Sequence, residues 1–326
     1  MARAGLGVLA ALALAVALTP ALPAVAKGPR VNSDEYRKSW GLEAIGARSA
    51  YRAGLTGKGV TVAMVDCGIS QAQRDVMRNL SRRSRDVVEG RAMPVMDRHG
   101  SYMAGPLSSA LDGRGMVGVA YNATLLAVRA DIDGGLFGSC AFKPSDLARA
   151  LDYAALQEAR IVVLPLQGRK PMGPTFEAAL ERLVRSGAVV VIAAGNRNGR
   201  EPSWPARYAV DPRYAGSILV AGATGYYGAI TPWSNKAGSV KPWYIAAPGE
   251  WVLTDCQAKC RMVSGTSFST AYVAGGLALM MEAWPQLSGP QVVDRILTLA
   301  RDAGDAGVDD IYGRGVLDLS RAFGAD

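Results

Sequence analysis

Residues 60–70 read VTVAMVDCGIS: six residues that are apolar or β-branched, then an aspartate at 66 and a Cys-Gly pair. A short apolar run closed by a turn signal is the pattern of a strand covered on both faces. Similar runs return at 124–128, 161–166, 189–194 and 217–221, and helical patterns lie between them at 145–158 and 175–185. Strand alternating with helix predicts an α/β fold with a mostly parallel central sheet and helices on both faces. Residues 270–284, TAYVAGGLALMMEAW, are apolar nearly all round, which predicts a helix buried at the centre. Pro285 ends it, and Ser288-Gly289-Pro290 opens the next helix. With no internal repeat, low-complexity linker or second composition, one domain is expected.

The chain has 326 residues, 49% apolar and 20% charged, which excludes a disordered chain and allows a core without staples. Its net charge of +8 is modest and mostly scattered. The densest basic stretch, RDVMRNLSRRSRDVVEGR at 74–91, has no aromatic residue for stacking on bases. It is read as a solvated surface segment, and no nucleic-acid partner is expected.

Residues 1–26 read as a signal peptide: Arg3, an apolar run at 6–18, Pro20 and Pro23, then Ala24-Val25-Ala26 before Lys27. No other segment is long and apolar enough for a bilayer span. The chain is therefore expected to be exported, either secreted or held in the periplasm or cell envelope, where its four cysteines can form disulfides. Cys256 and Cys260 flank Gln-Ala-Lys, a spacing that suits a bridge across a hairpin turn; the pairing of Cys67 and Cys140 is left open.

Four short segments carry the chemistry. Asp66 ends a strand, at the rim where parallel sheets place their sites. His99, in DRHGSYMAGPLSSAL (97–111), is the single histidine of the chain, and small residues behind it let a helix start close by. A base working near neutral pH would be this side chain. Ser267, in SGTSFSTAYVAGG (264–276), opens the buried helix, whose first N–H groups point at whatever sits there. Asn196 follows two alanines and a glycine in VVVIAAGNRNG (189–199), where its amide can donate to an oxyanion. Each residue has a plain structural use as a loop acid, a core histidine, a helix cap or a turn former. Together they meet the needs of a nucleophile, a base, an orienting acid and an oxyanion donor.

The set DCG, HGSYMAG, AAGN and GTSFSTAYVAG resembles the motifs of the subtilisin-like serine proteases, peptidase family S8, in their order. The likeness runs from about Gly57 to YGRGVLDLSRAF at 312–323. The segments at 34–66 and 232–249 are similar to the subtilase domains of bacterial autotransporters, which carry a C-terminal barrel not seen before Asp326. The resemblance implies a subtilisin-like three-layer fold over 57–323, after an extension at 27–56. It also implies a serine endopeptidase acting on proteins or peptides through Asp66, His99 and Ser267 and an acyl-enzyme, with Asn196 at the oxyanion. No cofactor is expected; a structural calcium ion occurs in the family, without ligands assigned here. Some positions depart from the family's pattern. Cys67 replaces Ser or Thr, Tyr102 a second histidine, and Ala271-Tyr272 a Pro-His pair. The space before Gly57 is too short for the family's folding pro-domain, which is expected to be absent.

By the same resemblance, one cleft wall follows Pro165-Leu166-Gln167-Gly168 and the other 135–139 with Phe137. The pocket before the scissile bond would be lined by Leu166, Gly168 and Ala193 to Gly195, with Gln167 narrowing it and the Pro165 carbonyl accepting from substrate. Lacking charge, it should favour apolar or aromatic side chains. A catalytically impaired peptide-binding protein of the same fold and an esterase using the same triad are the competing readings. GRGMVG at 113–118 matches a dinucleotide fingerprint but lies between a helix and a strand in the wrong order. Ser267 lies outside any GxSxG elbow.

Overall fold

The computed structural model describes residues 28–30, 32–91, 99–132, 140–214, 216–256 and 259–324. The expected leader at 1–26 and the expected cleft wall at 135–139 with Phe137 lie outside them. Three short helices, α1 (Asp34–Lys38), α2 (Trp40–Ala44) and α3 (Ala47–Arg52), lead into β1 (Thr61–Asp66). Next come α4 (Arg74–Met77), β2 (Arg85–Asp86), α5 (His99–Ser108), β3 (Thr124–Arg129), α6 (Pro144–Leu156) and β4 (Ile161–Leu164). The chain continues through α7 (Pro174–Arg185), β5 (Val189–Ala193), β6 (Ile218–Thr224) and β7 (Tyr244–Pro248). A hairpin, β8 (Val252–Asp255) and β9 (Arg261–Val263), precedes α8 (Thr266–Ala283), α9 (Gly289–Thr298) and α10 (Ser320–Phe323).

Among the described residues, seven strands form one sheet in the order β2-β3-β1-β4-β5-β6-β7, with every ladder parallel. All five expected runs are strands of it. β4 stops one residue before Pro165, which has no N–H for the ladder. The sequence reading missed β7, an edge strand whose Ala-Ala-Pro end has little β propensity. β1 lies between β3 and β4, so the order turns there and Asp66 sits at the switch point.

Alternation along the strands separates two cores. Val62, Met64, Val189 and Val191 face the layer containing α8 and α5, while Ala63, Val65, Val190 and Ile192 face α6 and α7. Helix α8 is buried from Thr266 to Met281 and packs against β4, β5, β6 and β7. The segment before the sheet is part of this core, since Leu42, Ile45 and Tyr51 are buried in it.

Segment 74–91 is only partly the solvated surface expected. Val76 and Asp86 are buried, and Arg91 pairs with Asp86 at 3.0 Å and Asp131 at 3.5 Å. Arg129 closes the network on Asp131 at 2.7 Å and Asp86 at 3.3 Å. Two carboxylates taken out of water at the sheet edge need such charged partners. The hairpin carries the expected Cys256–Cys260 bridge, and Cys67 pairs with Cys140.

Tyr272 fills the contact between α8 and α2, lying so close over Gly41 that a Cβ there would overlap its hydroxyl and ring carbons. Gly41→Ala should therefore cost about 1–3 kcal/mol, read as a lower urea midpoint at unchanged slope. Adding Tyr272→Leu should restore part of the loss; additive losses would clear Tyr272 as the cause.

Candidate active site

Asp66 is 2% exposed at the end of β1. Its Oδ1 accepts the Cys67 N–H at 2.7 Å, and both carboxylate oxygens lie 2.9 Å from His99 Nδ1. His99 begins α5, and its ring is 34% exposed. The approach depends on the next residue: a Cβ on Gly100 would overlap the Gly68 carbonyl, so a side chain there would push the start of α5 off the turn after β1.

Ser267 is the second residue of α8 and is 9% exposed. Its Oγ donates to the Pro165 carbonyl at 2.9 Å. His99 and Ser267 line one cavity of about 200 Å³ together with Cys140, Phe142, Pro165, Leu166, Gln167, Ala193, Asn196 and Thr266. No Lys, Arg, Asp or Glu is among these lining residues. Asp66 stands behind His99, outside the cavity.

Thr266 orients Asn196. The amide Oδ1 of Asn196 accepts from Thr266 N–H at 2.9 Å and from Thr266 Oγ1 at 2.8 Å. With its oxygen occupied, the amide NH2 is the end of Asn196 left to donate. Thr266 Oγ1 also accepts the Gly195 N–H at 3.1 Å. Behind this loop, the buried Asn235 accepts from Arg197 and Gly199 N–H and donates to the Ala194 carbonyl and Ser203 Oγ.

The expected substrate residues divide. Pro165, Leu166 and Gln167 line the cavity, but the Pro165 carbonyl is already an acceptor for Ser267. Gln167 Oε1 reaches across to accept the Asn196 N–H at 3.0 Å. Gly168 lies outside the lining, its backbone paired with Trp204, and Gly195 serves through its N–H. Sequence reasoning missed Thr266, Asn235, Cys140 and Phe142. Thr266 adjoins the serine and could have been suspected; the other three come from segments whose proximity only folding creates.

Away from the cleft, Asp75 is buried with one carboxylate oxygen unpartnered. Burial, and then Asp112 and Asp255, push its pKa up to about 6.

The subtilase family model matches residues 57–315. Alkaline protease of Alkalihalobacillus alcalophilus is 28% identical over 94% of this chain and 76% of its own length. Subtilisin Savinase of Lederbergia lenta is 29% identical over 87% of this chain and 97% of its own. Extracellular serine protease of Serratia marcescens is 24% identical over 89% of this chain and 34% of its own.

Replacing Thr266 by Val should leave the buried Gly195 N–H without its acceptor, at a cost of about 1–3 kcal/mol. Chemical denaturation of Thr266→Val, with Thr266→Ser as the variant that keeps the hydroxyl, measures it; a loss in Thr266→Val no larger than in Thr266→Ser would clear the hydroxyl as the cause.

Proposed function

This chain belongs to the subtilase family and is a serine-type endopeptidase, and on that premise we propose that Asp66, His99 and Ser267 are its catalytic triad. One observation carries the reading. His99 touches a buried carboxylate with Nδ1 and lines the cavity at which Ser267 opens α8.

In this mechanism Asp66 holds the proton on Nδ1, which leaves Nε2 as the base. Ser267 Oγ–H turns from the Pro165 carbonyl to Nε2, gives up its proton and attacks the carbonyl carbon of the peptide bond. The oxyanion takes hydrogen bonds from the Asn196 side-chain amide and the Ser267 N–H at the start of α8. As the C–N bond breaks, the imidazolium protonates the leaving amine. Water, activated by the same imidazole, then releases the acyl group. The Pro165 carbonyl, freed when Ser267 turns, becomes an acceptor for a backbone N–H of an extended substrate.

The uncharged lining supports a preference for apolar or aromatic side chains before the scissile bond. Gln167, tied to the Asn196 N–H, narrows that wall. Export is the companion reading. It is supported by the leader pattern at 1–26, by two disulfides and by the extracellular relative from Serratia marcescens. No helix among the described residues is long and apolar enough to cross a membrane.

Hydrolysis of a fluorogenic peptide tests the roles. Ser267→Ala and His99→Ala should each lower turnover by a factor on the order of 10⁶, a magnitude taken from subtilisin, with Asp66→Ala losing somewhat less. A Ser267→Ala protein with wild-type turnover would overturn the assignment. Asn196→Leu should lower kcat by roughly 10²–10³ with little change in KM. A raised KM at constant kcat would make Asn196 a binding residue instead.

A further inference from the structure

The Cys67–Cys140 bridge lies against the Asp66–His99 pair. Cys67 follows Asp66 directly and is fully buried, whereas Cys140 is half-buried and lines the cavity with His99 and Ser267. Cys140 Sγ is 3.8 Å from Asp66 Oδ1. One ligand atom from each of Asp66, Cys67, His99 and Cys140 lies within 4.8 Å of the others. Two sulfurs, an imidazole nitrogen and a carboxylate oxygen are the donor types of a four-coordinate zinc site, whose bonds run about 2.0–2.3 Å. While the disulfide is closed, its sulfurs are bonded to each other and are not thiolate ligands.

We propose that the bridge conceals a latent soft-metal site. When it is reduced, the Cys67 and Cys140 thiolates, His99 and Asp66 hold one Zn²⁺-type cation, which withdraws the acid and the base from the triad. The effect on turnover rests on the catalytic reading of Asp66 and His99; the metal site stands without it.

The frame holding these donors does not depend on the bridge. Asp66 ends a strand paired with β3 on one side and β4 on the other. The turn carrying Cys67 packs against Gly100 at the start of α5. Cys140 is followed by Ala141, whose carbonyl accepts the Ile132 N–H at 2.7 Å, and by Phe142, which bridges to Asp131. Opening the S–S bond therefore leaves both sulfurs beside the carboxylate and the imidazole. Thiolates select soft and borderline cations over Ca²⁺ or Mg²⁺, so a structural calcium ion would not compete here.

A small dithiol opens the bridge by exchange. Its first thiolate attacks Cys140 Sγ, the sulfur at the cavity, and Cys67 leaves as a thiolate that takes up a proton. The second thiol of the reagent then displaces Cys140 and closes a cyclic disulfide. Two electrons pass from the dithiol to the bridge, and its two thiol protons end on the cysteines. Metal binding releases those protons, because a coordinating thiol is deprotonated.

The test uses the full chain with Ser267→Ala, which prevents self-digestion, and with Cys256→Ser and Cys260→Ser, which leaves a single thiol pair. After reduction with dithiothreitol and anaerobic desalting, this protein should take up one Co²⁺ and show a thiolate-to-cobalt charge-transfer band. Zn²⁺ should displace the cobalt. The oxidised protein, and reduced protein alkylated with iodoacetamide, should show no band, and His99→Ala should weaken binding by roughly tenfold or more. With Ser267 intact, an equivalent of Zn²⁺ should suppress peptide hydrolysis by the reduced enzyme and spare the oxidised one. A reduced protein without the band overturns the site, as does a band that survives alkylation. If the band is missing while Ser267→Ala still abolishes hydrolysis, the metal proposal falls and the triad stands. A bound metal that leaves hydrolysis by the reduced enzyme unchanged overturns the withdrawal of acid and base, while Ser267→Ala and His99→Ala decide the triad on their own.

Discussion

A carboxylate buried at the end of a central strand is the constraint around which this site is arranged. Asp66 costs free energy unless its oxygens are hydrogen-bonded. The partners are the N–H of the next residue and the Nδ1 of His99. For the imidazole to arrive, α5 must begin against the turn that follows β1, which is why Gly100 meets the Gly68 carbonyl with no room for a side chain. Helix α5 then runs on to pack against α8 and β8. Satisfying one buried acid thus sets where a helix starts and where the hairpin docks.

The other half of the site is built without charge. Helix α8 is buried along most of its length, so its N-terminal N–H groups emerge at the sheet rim beside the loop after β5. Thr266 ties helix and loop together, and Asn235 fills the loop's backbone hydrogen bonds from behind. A loop satisfied in this way has little freedom to turn the Asn196 amide around. Ser267 therefore lies among fixed dipoles, while His99 lies beside a fixed charge.

The two halves also differ in their atoms. Oxygen and nitrogen donors surround Ser267, whereas two sulfurs stand beside Asp66. The Cys67–Cys140 bridge joins the strand end that holds the acid to the wall of the cleft. The bridge adds a covalent tie to parts that the backbone already holds together, and the chemistry at that point depends on the redox state of the sulfurs.

Much of this was legible in the sequence, for a local reason. Five of the sheet strands are short apolar runs, and α8 is apolar all round, because burial on both faces leaves no room for polar alternation. The residues of the proposed triad and Asn196 stand in short motifs whose small neighbours permit close approach. Strand β7 escaped notice because Tyr-Ile-Ala-Ala-Pro has no such run, and the ladder with β6 decides its state. The charges at 74–91 looked solvated because nothing in one dimension places Asp86 beside Arg129 and Asp131. The sequence by itself determined the α/β layering, the buried helix and the kinds of side chain available for chemistry, since these follow from periodicity and residue type. Only the tertiary structure decided that Thr266 orients Asn196, that Gln167 spans to its N–H, that Ser267 rests on Pro165, and that Cys140 comes to Asp66. Hydrogen bonds and sulfur contacts between residues far apart in the chain exist only once the sheet has brought the ends of its strands to one rim.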